Sequence, residues 1–150
     1  MKKILTCLLI ISLFFLHCDP MSLKIYIRNF SNYEVKIIVT HRPIVSFEEK
    51  NTLSYIDNVS QEITYDAHKD YKKTLKIKKI DESNYEFIIK PKTTVFLEPY
   101  LLSMVISKVE IIYNGDRKSI IFYGENFNRR EMEKSGLLEF KYPLAIINIK

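Results

Sequence analysis

From Ser22 onward, apolar and polar residues alternate with a period of two, and that period limits the possible folds more than any other feature of the chain. A strand sends successive side chains to opposite faces, so such alternation marks strands with one face buried. Leu23, Ile25 and Ile27 alternate with Lys24, Tyr26 and Arg28. After the turn-like Asn29-Phe30-Ser31-Asn32, residues Tyr33, Val35, Ile37 and Val39 alternate with Glu34, Lys36, Ile38 and Thr40, which predicts a hairpin. Further runs cover 61–66, 71–80, 84–90, 93–98, 104–113, 118–123, 137–142 and 145–149, for about ten strands in all.

The connections between these runs carry turn chemistry. Asp81-Glu82-Ser83-Asn84 joins two of them, and Asn114-Gly115-Asp116 supplies the positive φ values of a tight hairpin. Many short strands with such turns and no long helix between them imply an all-β fold, an antiparallel β-sandwich of immunoglobulin-like type, with a small β-barrel as the alternative. One short helix is expected near 126–134, with Asn126 able to cap it, Arg129 and Glu133 spaced to pair, and Gly136 as its stop. Residues 42–58 lack clear alternation and are expected to form a long loop with a brief strand around Leu53 to Ile56.

The 150-residue chain divides into three parts: a leader over 1–17, a short tether over 18–21 and a single domain over 22–150. Hydrophobic residues make up 47% and glycines number only 3, which excludes a disordered chain. Without Lys2 and Lys3 the balance is 21 basic against 18 acidic residues, too even for the basic stripe of a nucleic-acid binder, so no nucleic-acid partner is expected. The two cysteines, Cys7 and Cys18, both precede the domain, which must therefore hold together by packing without an internal disulfide.

The leader constrains location. Met1-Lys2-Lys3 is a basic start, and the 13 residues from Ile4 to Leu16 are interrupted only by Thr6 and Ser12. As a helix this run would reach roughly 20 Å, short of the ~30 Å hydrocarbon core, so a cleaved export signal is expected in place of a spanning helix. Phe15 and His17 are too bulky for the small-residue site of soluble export. Phe15-Leu16-His17-Cys18 instead resembles the lipobox of bacterial lipoproteins, in its relaxed, spirochaetal form with bulky residues ahead of the cysteine. The resemblance covers about 20 residues and implies that Cys18 receives a diacylglyceryl group before the leader is removed. It departs from the family pattern at Phe15, where that pattern has Leu nearby, and at His17, where it has Gly, Ala or Ser. The implied location is the cell envelope, membrane-attached and facing the periplasm or the exterior. The implied partner is the membrane, with an envelope or host protein as a second.

Residues that could carry chemistry are sparse. His41 and His68 are isolated, without metal-ligand spacing, and no nucleophile or phosphate-loop motif is present, so neither metal nor cofactor is expected. The strongest charged feature is the 69–79 segment, where Lys72, Lys76 and Lys78 would share one strand face opposite Leu75 and Ile77. They are candidate contacts for an anionic surface, or lysines that keep an edge strand from pairing. Tyr26, Tyr55 and Tyr100 are candidate exposed contacts, and Asn29-Phe30-Ser31 and Asn58-Val59-Ser60 match the N-glycosylation pattern.

The expected function is that of a lipid-anchored envelope protein, a non-enzymatic binding or structural module. One rival is a small envelope enzyme built on His41, His68 and a nearby carboxylate. Another is an accessory or inhibitory subunit docking through a sheet edge at Leu23–Ile27 or Ala145–Ile149.

Overall fold

The computed structural model describes residues 24–41, 52–59, 62–64, 66–97, 106–122, 128–141 and 144–150, apart from the Arg129 side chain. The leader, Cys18, the tether and Tyr100 lie outside the described residues. No helix among the described residues is long and apolar enough to cross a membrane.

Eleven strands are formed: β1 (Lys24–Asn29), β2 (Val35–His41), β3 (Thr52–Ile56), β4 (Lys73–Lys76), β5 (Lys78–Lys79), β6 (Asn84–Ile89), β7 (Thr93–Leu97), β8 (Ile106–Tyr113), β9 (Asp116–Ile121), β10 (Leu138–Lys141) and β11 (Leu144–Ile149). They build a six-stranded sheet in the order β10-β11-β1-β7-β3-β4 and a five-stranded sheet in the order β5-β6-β2-β8-β9. The fold is an all-β sandwich, as the alternation predicts, and the sheets do not close into a barrel. Among the described residues all pairings are antiparallel except that of β1 with β11, which run parallel in register from Lys24–Leu144 to Asn29–Ile149.

The core lies between the sheets. Ile25 and Ile27 of β1, Val35, Ile37 and Val39 of β2, Val109 and Ile111 of β8, and Ala145, Ile147 and Ile149 of β11 are buried at alternate positions. Burying each large side chain of this kind contributes roughly 1.5–3 kcal/mol, enough to replace the missing disulfides. The outer face of the six-stranded sheet carries a second, smaller cluster of Tyr26, Phe96 and Ile146, covered by Ile63, Ala67 and Tyr71. Every residue of β1 is consequently buried, including Lys24, Tyr26 and Arg28. Alternation alone would leave these three on a solvated face, and Tyr26 cannot serve as an exposed contact.

The structure departs from the expected strands at three places. β1 and β2 do not form a hairpin, because residues 30–34 carry the chain from one sheet to the other. The 71–80 run is not one strand either: β4 belongs to the six-stranded sheet and β5 to the five-stranded sheet, with the chain switching layers at Ile77. The described residues of the expected 61–66 strand, 62–64 and Asp66, form no strand, and a 3₁₀ turn follows at Ala67–Asp70, while Gln61 and Tyr65 lie outside the described residues.

The crossing after β1 is held by Asn29. Its side-chain amide donates to the carbonyls of Tyr33 (2.8 Å), Lys90 (3.0 Å) and Ile89 (3.3 Å), while its oxygen accepts from the Ser31 backbone (3.1 Å) and hydroxyl (2.6 Å). One fully buried side chain thus fixes the β1–β2 and β6–β7 connections together. Its amide is therefore closed to glycosylation.

The tight turns form as expected. Asn114 and Gly115 have φ of 48° and 81° between the paired Tyr113 and Asp116, the geometry of a two-residue primed hairpin. At the β5–β6 turn the Asp81 carboxylate accepts from the backbone amides of Ser83 (2.8 Å) and Asn84 (2.9 Å). The helix α1 is shorter than expected, spanning Arg129–Lys134 with Asn128 before it, while Asn126 lies outside the described residues. It ends at Gly136 (φ 72°) with bonds from Gly136 to the Glu133 carbonyl and from Leu137 to the Met132 carbonyl, both 3.1 Å. This paired arrangement satisfies the last carbonyls and brings Leu137 over Met132.

Candidate functional site

The two long seams of the sandwich differ. On one side the chain itself closes the seam, since β4 and β5 are successive edge strands of the two sheets. Lys72, Lys76 and Lys78 are exposed there, but they do not share one strand face: Lys72 precedes β4, Lys76 ends it, and Lys78 begins β5. Leu75 and Ile77 pack against the core, as their alternation with the lysines implies. Lys73 pairs with Asp57, whose hydrogen bond raises the Lys73 pKa. Lys76 and Lys78 therefore sit on the edge strands of the two sheets, a placement that discourages pairing with another chain, while Lys72 lies just ahead of β4.

On the other side the edge strands β9 and β10 stay apart, and α1 only partly fills the gap. A cleft of about 330 Å³ opens there. Its floor is formed by Ile111 and Ile149, both fully buried, and by Leu137 and Met132, which pack against the core. Pairing places Lys118 opposite Ile111 on the inner face of the five-stranded sheet, in phase with the buried Ile120. Its ammonium lies 6.0 Å from the centre of the Tyr113 ring, over the ring face. Lys150 also lines the cleft, with its ammonium beside Gly136. The lining contains no acidic side chain, and among the described residues neither lysine forms an ion pair.

A smaller recess of about 170 Å³ lies on the outer face of the six-stranded sheet, lined by Arg28, Ile63, Ile146, Glu62, Glu139 and Lys141 among others. Its charges balance internally. Arg28 Nε donates to Asn148 Oδ1 at 2.9 Å, and Nη2 lies 3.5 Å from the Glu139 carboxylate, so the guanidinium ties β1 to β11 and β10. Burial lowers the Arg28 pKa, while Glu139 and Tyr71 oppose that shift. The Tyr71 hydroxyl is buried without a hydrogen-bond partner among the described residues, and desolvation pushes its pKa up to about 12.

The structure does not bring the two candidate histidines together. The His41 ring stacks on Tyr85 of the five-stranded sheet at 5.2 Å. His68 covers the outer face of the other sheet, stacked on Phe96 at 4.4 Å, with Nδ1 3.3 Å from the Tyr26 hydroxyl. Neither ring lines the cleft or the recess. The proposed edge segments are also accounted for, because β1 lies between β11 and β7, and β11 lies between β10 and β1. Both are paired on either side and present no edge.

Lys118 is the cleft residue that sequence reasoning missed. Its signal was present in its spacing from Ile120, which places a charge in phase with a core residue. No protein-family model, curated protein or solved structure matches the chain.

Proposed function

We propose that the chain is a lipid-anchored envelope protein whose β-sandwich serves as a non-enzymatic binding module, with the open seam between β9 and β10 as its contact site. The observation that carries the anchor is the 13-residue apolar run ending at Leu16, followed by Cys18 just ahead of a folded domain. The first strand begins at Lys24, six residues after Cys18, so an extended tether would hold the domain within about 20 Å of its lipid. A diacylglyceryl head with a further acyl chain buries many methylenes at about 0.8 kcal/mol each, enough for stable attachment. The cleft supports the binding role because its apolar floor and two lysines that form no ion pair among the described residues concentrate in one concave place.

Mass spectrometry of the N-terminal peptide from membrane-extracted protein tests the anchor. The expected product begins at Cys18 and carries the mass of a diacylglyceryl group, and Cys18→Ser should shift the protein out of the stably lipidated membrane fraction. A peptide retaining Met1, or one with an unmodified Cys18 thiol, would sink the reading.

A further inference from the structure

The cleft has two properties that a merely imperfect seam would not need. Its floor is hydrocarbon, from Ile111, Ile149, Leu137 and Met132, and its volume of about 330 Å³ falls within the ~300–1,000 Å³ range of small-molecule sites. Its mouth carries two ammonium groups that form no ion pair among the described residues, one of which, Lys118, stands on the inner face of a strand. Both ammonium groups are exposed, so what favours an anion is the convergence of two like charges on one concave site, an attraction that salt weakens. A ligand matching both properties has a hydrocarbon tail and a negative head.

We propose that this cleft binds a single-chain anionic amphiphile, its chain lying on the Ile111–Leu137–Ile149 floor and its head between Lys118 and Lys150. The ligand class rests on the binding-module reading and sharpens it: a domain tethered at a bilayer surface meets free amphiphiles at high local concentration. Binding is non-covalent, and each methylene added within the cleft tightens it about fourfold. The absence of acidic side chains from the lining sets the preference for a carboxylate or phosphate head over an ammonium head.

The test uses the full chain in phosphatidylcholine vesicles with a photoreactive dodecanoic acid, followed by peptide mapping. Label is expected on peptides containing Ile111, Met132, Leu137 or Ile149. Excess decanoate should compete at least tenfold better than decanol, and octanoate less well than decanoate. Lys118→Glu combined with Lys150→Glu should reverse the preference, favouring a photoreactive dodecylamine over the acid. Both lysines are exposed, and thermal unfolding would verify that the double variant folds. Met132→Trp should fill the cleft and lower labelling at least tenfold. Label scattered over the surface, or labelling of the cleft that ignores head-group charge in both proteins, would overturn the proposal. Protein that carries the Cys18 lipid and takes no label refutes the cleft proposal alone, and protein that takes label at the cleft without that lipid refutes the anchor alone.

Discussion

At the scale of single residues, polar groups inside this sandwich settle its connections. Asn29 spends its whole side chain on the two crossings at one end, and removing it would leave three carbonyls short of a donor. Tyr71 is the opposite case, a buried hydroxyl with no partner among the described residues and a pKa raised by desolvation from 10.0 to about 12. The folded state therefore holds its proton after the unfolded chain has lost it. The associated stability is complete below about pH 10 and declines between pH 10 and about 12. Urea titrations across that interval should show a smaller decline for Tyr71→Phe than for the wild type, with the variant at least as stable at pH 7. Parallel curves for the two proteins would contradict this account of Tyr71.

At the scale of elements, alternation identified most strands but not their neighbours. Period two states which side chains share a face and is silent on which strand lies alongside. The Asn114-Gly115 hairpin and the Asp81 turn were legible because their chemistry is local. The break at Ile77 was not, because a strand that changes sheets keeps its alternation through the switch. The burial of Lys24, Tyr26 and Arg28 was hidden for a related reason, as the cover comes from an irregular segment some 40 residues later in the chain. The lysines on β4 and β5 lead to a prediction of their own. Replacing Lys76 and Lys78 with Val would remove one of the two lysines on each of these edge strands, and light scattering at raised concentration should reveal association that the wild type lacks. If that variant stays as monodisperse as the wild type, the lysines have no guarding role.

At the scale of the whole molecule, the last strand is as central as the first. β11 joins β10 to β1 and contributes Ala145, Ile147 and Ile149 to the main core. Deleting residues 144–150 should therefore abolish cooperative unfolding, seen by circular dichroism as loss of the thermal transition. Retention of a sharp transition would mean that the remaining strands close the core without it. The cleft arises at this scale too, from Lys118, Met132 and Ile149, which sit on different elements. Only the strand order shows that they meet.

The parallel pairing of β1 and β11 also determines how the domain answers to force. Because the two strands point the same way, the start of β1 and the finish of β11 lie at opposite ends of one six-pair ladder. Tension drawn between Lys24 and Ile149 would run along that ladder and strain its rungs together, where an antiparallel pair pulled from one end would be peeled open one rung at a time.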